Sequence, residues 1–279
     1  MRSGSRTTEQ LRQHYEIEKE LADQLRRATR QERSRLYPAL YDELFRRVPY
    51  HPQLTRKASP QQAVAAVRAQ MKLLCPFLQP ESSYLEVGPG DCALALAVAP
   101  LVKQVYAIDV SDEITKGVTT PPNFSLILSD GVSVSVPPNS VQVAYSNQLM
   151  EHLHPDDALE QLQNIACALA PGGIYLCVTP NRLTGPHDIS RYFDRVATGF
   201  HLKEYTMAEL SRLFQQVGLT PLGAYLGARG RHLYVGAAAA LRCEQMVAVT
   251  PVALRQHKLL NLPLRFLLGN IRLVGRKDV

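Results

Sequence analysis

The chain has 279 residues, 46% of them hydrophobic and 20% charged, the balance expected of an ordinary soluble globular protein, with room for one large α/β domain with additions or for two small ones. No apolar run reaches the ~18 residues that span a bilayer, and Met1-Arg2-Ser3-Gly4-Ser5-Arg6 leads into charged sequence rather than an apolar signal core, so the cytoplasm is the expected compartment. The net charge of +6 permits an RNA or phospholipid surface without demanding one, and five cysteines without a C-x-x-C pair argue against a disulfide framework or a zinc site.

Residues 7–48 form a charged, helix-favouring stretch. Leu11, Tyr15, Leu21 and Leu25, then Leu36, Leu40, Leu44 and Val48, fall in stripes along one side of two helices. The arginines between them, among them Arg26, Arg30, Arg33 and Arg47, read as solvated helix faces. Residues 49–60, with three prolines and the pair Arg56-Lys57, read as a linker. A third helix is predicted over 61–74, with Ala63, Val64, Val67, Met71 and Leu74 on its apolar side.

From residue 84 strands and helices alternate, which argues for a parallel sheet covered on both faces. The first strand, 84–87, breaks into the turn Gly88-Pro89-Gly90-Asp91 and then an Ala/Leu-rich helix over 92–101. Glycines in such a turn let the backbone approach a ligand and take φ values closed to other residues, and the helix start offers free N–H groups to the same space. Gly88-x-Gly90-x-x-Ala93 also fits the dinucleotide fingerprint, with Asp109 lying 21 positions beyond the first glycine. Glu86 decides between the two. A carboxylate inside the strand opposes a pyrophosphate and suits a cofactor that carries an ammonium group and no phosphate, as S-adenosylmethionine does.

Glu86-x-Gly88-x-Gly90 resembles the first motif of the class I S-adenosylmethionine-dependent methyltransferases, and the likeness extends over 82–219. Val105-Tyr106-Ala107-Ile108-Asp109 is similar to the second strand, ending in the acid that holds the ribose hydroxyls in that family. Ser129-Asp130-Gly131 resembles the loop that places an acid near the adenine amine, and Leu169-Ala170-Pro171-Gly172-Gly173 with the strand 174–178 resembles the turn and fifth strand. The family's third glycine is here Cys92.

The resemblance implies a Rossmann-like α/β fold with a seven-stranded, mostly parallel sheet. It implies a helical lid over 1–79, a cofactor-binding core over 80–236, and a helical insertion with the closing antiparallel strand over 237–279. The insertion, with Leu259, Leu260, Leu262, Leu264, Phe266 and Leu267, is expected to cover the sheet; contact with a membrane surface is the other reading. Glu86, Gly88, Gly90, Asp109, Asp130, Gly131 and Asn147 are the expected cofactor-binding residues.

The run Ser146-Asn147-Gln148-Leu149-Met150-Glu151-His152 follows the fourth strand, at the strand ends where open α/β sheets bind ligands. Its Glu-His pair is typical of the branch that holds the ubiquinone-pathway O-methyltransferases. It also resembles the metal-binding run of the small-RNA 2′-O-methyltransferases, where a second glutamate stands in place of Gln148. A neutral amide is a weak ligand for a hard cation, so no metal is expected. The long connection after the fifth strand brings His187, Asp188, Arg191 and His201 as acceptor-facing residues. His152, His187 and His201 have the intrinsic pKa of a general base for a hydroxyl acceptor. The acceptor is expected to be a small molecule such as a metabolite, a sugar or a lipid-linked intermediate. Nucleic acid is disfavoured, because no RNA-binding module flanks the core. An RNA 2′-O-methyltransferase with a divalent metal and, more distantly, a nicotinamide-dependent oxidoreductase are the alternatives.

Overall fold

The computed structural model describes residues 6–55, 58–111, 119–228, 230–256 and 258–278; Arg56, Lys57 and the side chain of Leu259 lie outside what it describes. Its centre is an eight-stranded sheet. The strands are β1 (Ser83–Val87), β2 (Gln104–Asp109), β3 (Phe124–Leu128), β4 (Val141–Asn147), β5 (Leu169–Pro180), β6 (Leu219–Ala228), β7 (Arg231–Gly236) and β8 (Asn270–Lys277), in the order β3-β2-β1-β4-β5-β8-β6-β7. The first five pair in parallel. β8 runs antiparallel between β5 and β6, as the sequence predicts for the closing strand. Chain order reverses between β1 and β4, which makes the C-terminal ends of those two strands the place where a ligand can sit.

The strand count exceeds the expectation by one. β7 forms a hairpin with β6, where Gly227 and Gly230 take φ of +110° and +75° as tight reversals require. Its run Arg231-His232-Leu233-Tyr234-Val235 forms an edge strand, paired among the described residues with β6 alone.

Helices α1 (Thr8–Arg27) and α2 (Arg30–Arg47) each start on a capping box, Thr7 with Gln10 and Thr29 with Glu32, which satisfies orphan N–H groups at both starts. The short α3 (Pro52–Thr55) precedes α4 (Pro60–Leu74). The arginines of α1 and α2 are not simply solvated. Arg33 is buried and donates to the fully buried Asp157 at 2.7 Å from Nε, Tyr37 donates to the same carboxylate, and Arg26 holds the carbonyls of Thr198 and Gly199. The Arg33 and Tyr37 bonds tie α2 to the start of α6 (Pro155–Ala168), which follows β4, and those of Arg26 tie α1 to the loop after β5, so the N-terminal helices cross the C-terminal edge of the sheet. The remaining helices are α5 (Ala93–Val98), α7 (Met207–Gln216), α8 (Ala237–Ala248), α9 (Val252–Gln256) and α10 (Lys258–Leu268). Ala240 of α8 and Leu268 of α10 join Ala224 and Leu226 of β6 in one buried cluster, so the insertion covers the sheet as expected. The cysteines are all free. Cys75 adjoins Pro100 and Leu101, beside the starts of the strands and away from the ligand end.

Candidate active site

β1 delivers Glu86 to the floor of the ligand end with 4% of its surface exposed. The Tyr84 hydroxyl donates to it at 3.1 Å, and burial pushes its pKa up to about 8. A carboxylate held this way is one half of a pair, since burial disfavours the charge until a cation answers it. The turn after it is shaped for close approach. Gly88 has φ +70° and an added Cβ would stand 3.2 Å from Leu149 Cδ1; Gly90 has φ +57° and faces open space. Cys92, which stands where the family has its third glycine, keeps the left-handed conformation at φ +56°, a backbone state that costs a side-chain-bearing residue about 1–2 kcal/mol.

Asp109 closes β2 opposite this turn, where its carboxylate accepts from the backbone N–H of Gly90 at 3.2 Å and of Val110 at 2.7 Å. A cavity of about 60 Å³ lies here, lined by Gly88, Asp109, Val110, Ser129, Gly131 and Leu149 among others. Gly131, an expected cofactor-binding residue, is among them. Asp130 does not line this cavity: its carboxylate caps the N–H groups of Val132 and Ser133 and accepts from Arg30 of α2 at 2.9 Å. Although burial opposes it, those bonds hold its pKa well below the usual carboxylate range. Asn147 ends β4 and lines neither this cavity nor the next.

The second cavity, of about 390 Å³, begins one residue further along the same loop, at Gln148. Glu151, His152, His187, Asp188, Arg191 and His201 all line it, so the histidines proposed from sequence share one space although up to 49 positions apart. Their environments differ. His201 Nδ1 lies 2.8 Å from Glu204 Oε1. Burial works against charge on this ring, but Glu204, Glu151 and Asp188 outweigh it and lift the pKa above the ordinary histidine value. His152, edge-on to His201 with ring centres 4.9 Å apart, goes the other way: burial, then the neighbouring His201, push it down to about 3. Its Nδ1 is bracketed by the Tyr41 hydroxyl at 2.8 Å and the Phe200 carbonyl at 3.1 Å. His187 bonds through Nε2 to the Asn181 carbonyl and Thr184, and burial lowers its pKa. Glu151 is fully buried, and burial raises its pKa to about 7. Thr179 donates to its Oε2 at 2.9 Å, while Oε1 has no hydrogen-bond partner among the described residues.

Helix α1 supplies the opposite wall. His14 Nε2 lies 2.7 Å from Glu18 Oε2, His51 packs edge-on to His14, and Glu18 Oε1 accepts from the Phe200 N–H at 2.9 Å. Two triads, His14 with Glu18 and His51, and Glu151 with His152 and His201, each bring three potential cation ligands within 4.8 Å of one another.

Residues 56–223 match the family model of a methyltransferase domain. The chain belongs to the S-adenosylmethionine-dependent methyltransferases. Over 148 residues it is 29% identical to a Mycolicibacterium smegmatis protein named as an S-adenosylmethionine-dependent methyltransferase, an alignment that covers 52% of this chain and 55% of that protein. The chain therefore spans about half the length of the curated relative it matches. Among solved structures, the 1,6-didemethyltoxoflavin-N1-methyltransferase of Burkholderia thailandensis superposes with a TM-score of 0.56 at 13% identity, covering 90% of this chain and 92% of that one. A S-adenosylmethionine-dependent methyltransferase of Archaeoglobus fulgidus gives 0.52 at 15% identity, covering 86% and 100%. At such identities the likeness is one of fold.

The methyltransferase turn fits its cofactor on the chemistry of its donors. Glu86 can meet the cofactor's ammonium group, Asp109 its ribose hydroxyls, and the open Gly90 leaves space that a side chain would fill. Sequence reasoning missed Glu204, His14, Glu18 and His51. Glu204 carries one local signal, an acid three positions after a histidine; the others sit on what reads as an ordinary amphipathic helix and a linker.

Proposed function

We propose that this methyltransferase O-methylates a small hydroxylated molecule, with His201 as general base and Glu204 as its positioning partner. When bound, S-adenosylmethionine supplies a methyl group on a sulfonium. The chain's own work is to align the acceptor and exclude water. The observation that carries the reading is the His201–Glu204 contact on the wall of a cavity that starts at Gln148, one residue before the Leu149 that packs against Gly88 of the cofactor turn. Glu204, 2% exposed at its side chain, fixes the tautomer with the proton on Nδ1, so Nε2 is the nitrogen that takes a proton from a hydroxyl. His152, with its pKa near 3, stays neutral and serves to orient the acceptor, as does His187. Gln148, Asp188 and Arg191 add polar contacts of the kind that hold a hydroxylated compound, and 390 Å³ falls in the size range of small-ligand sites, about 300–1,000 Å³. The Burkholderia thailandensis N1-methyltransferase structure has 1,6-didemethyltoxoflavin and S-adenosylhomocysteine bound, a pairing of small molecule and spent cofactor that supports the small size of the acceptor and not the atom methylated. The comparisons support neither RNA nor a nicotinamide cofactor.

A screen of hydroxylated small molecules, read by S-adenosylhomocysteine release, identifies the acceptor. With that acceptor, His201→Ala should lose most of the turnover while cofactor binding is retained. Full turnover in His201→Ala contradicts the role assigned to His201.

A second reading rests on one observation, the unpartnered Oε1 of Glu151 between His152 and His201, which is where a divalent cation would bind. The donor set argues for the first reading, because it offers one carboxylate and a neutral Gln148 where a hard cation draws its affinity from charge.

A further inference from the structure

The insertion that follows β7 covers the sheet with one side and presents an apolar surface with the other. In α8 Met246 is 66% exposed and Val249, just past its end, 83%; in α10 Leu262 is 72% exposed, with Phe266 one turn further along also exposed. Val252 and Leu254 of α9 are exposed between them. Both α8 and α10 pack on β6 from the same core, so these side chains belong to one outer layer. Large apolar side chains gathered in this way mark a contact surface.

Charge tells what kind of surface. From Gln245 to Leu268 the insertion contains Arg255, Lys258 and Arg265 and no Asp or Glu, against 25 acids in the whole chain. A second copy of the chain meeting this patch about a two-fold axis would set its cations against each other. Nucleic acid would answer the charge and leave the leucines and phenylalanine unserved. An anionic bilayer answers both, the acyl boundary taking the apolar side chains and the headgroups the cations. No described helix is long and apolar enough to cross a membrane, so the contact is one of lying on the surface.

We propose that α8, α9 and α10 form a docking surface for anionic phospholipid membranes. α9 and α10 also pack on the turn Arg182–Thr184, three residues before His187, so the docking surface adjoins the loop that lines the larger cavity. The proposal does not depend on which acceptor that cavity takes.

The test is flotation of the full chain with vesicles of phosphatidylcholine, with and without phosphatidylglycerol. The protein should float with the anionic vesicles and not with the neutral ones, and high salt should release it. The double variant Leu262→Glu/Phe266→Glu, which alters only exposed side chains, should keep its S-adenosylhomocysteine binding and lose flotation about tenfold or more. Absence of wild-type flotation with anionic vesicles overturns the proposal, whatever the variant does. So does flotation that ignores both salt and the variant, or a concentration-dependent dimer that the same variant dissolves, which would make the patch a contact between copies.

Discussion

A carboxylate buried at the end of a central strand is tolerated only where its charge is removed or answered, and Glu86 is in that position. Its folded pKa of about 8 stands above the unfolded value of about 4.5. The proton it keeps therefore favours the folded state fully below about pH 4.5, and that contribution is lost as pH rises through 8. Glu86→Gln should accordingly raise the melting temperature of the cofactor-free protein at pH 8, by an amount corresponding to a few kcal/mol at most, leave it nearly unchanged at pH 4.5, and weaken S-adenosylhomocysteine binding at both. A pH-independent loss of stability in the variant would mean that Glu86 serves the fold alone. His201 gives the opposite kind of pH signal, in rate instead of stability. Turnover should rise with pH through the His201 pKa, which lies above the ordinary value, and Glu204→Gln should move that limb to lower pH. His201→Ala should cost about 10²–10⁴-fold in kcat, the usual worth of a positioned base. If Glu204→Gln lowers kcat with no movement of the limb, Glu204 is a brace for the loop and not a partner of the base. Turnover should survive a chelator; loss to chelator, with recovery on adding Mg²⁺ or Mn²⁺, would instead favour a cation on Glu151, His152 and His201. Glu86, Gly88, Gly90 and Asp109 could be put forward from the sequence as candidates because their spacing is local or fixed by two short strands. Glu204, His14, Glu18 and His51 were not, because each acquires its role from a neighbour that only the folded chain supplies. Asp130 shows the converse: the loop was read correctly, yet its acid is committed to Arg30.

At the scale of elements, the N-terminal helices are held over the sheet by charge as much as by apolar packing. Periodicity found the stripes of α1 and α2, and Leu21, Leu25, Leu40, Leu44 and Val48 are indeed buried. It could not show that Arg33, His14 and Glu18 are buried beside them, since composition assigns such residues to solvent. Removing one member of a buried ion pair leaves the other uncompensated, which costs about 3–5 kcal/mol. Arg33→Ala should therefore lower the melting temperature sharply by stranding Asp157, whereas Arg33→Met with Asp157→Leu should recover most of the loss. Equal melting temperatures for wild type and Arg33→Ala, followed by far-ultraviolet circular dichroism, would show that the tether adds no stability. β7 escaped the sequence reading for a different reason. A short edge strand between two glycines carries little hydrophobic signal, and its Leu233 and Tyr234, on opposite faces, both remain exposed.

For the whole molecule, the parallel strands and the antiparallel return of β8 were legible as an ordered series of motifs, any one of which alone is weak, whereas the reversal of strand order between β1 and β4 is seen only in the fold. The division of labour between two cavities was not legible, because it depends on where Gln148 and Leu149, neighbours in the chain, turn their side chains. Gln148 itself has φ +55°, a backbone state seldom taken outside glycine, at the point where the loop passes from one cavity to the other. The central claim, that the Glu86 turn and Asp109 at the end of β2 receive S-adenosylmethionine through an ammonium and a ribose contact, is tested most directly by calorimetric titration of wild type and Asp109→Ala with S-adenosylhomocysteine and with NAD. The account predicts saturable binding of S-adenosylhomocysteine to wild type, a loss of about 1.5–3 kcal/mol in Asp109→Ala with the fold intact, and no binding of NAD. Tight NAD binding without response to S-adenosylhomocysteine, or equal affinity in the folded variant, would contradict it.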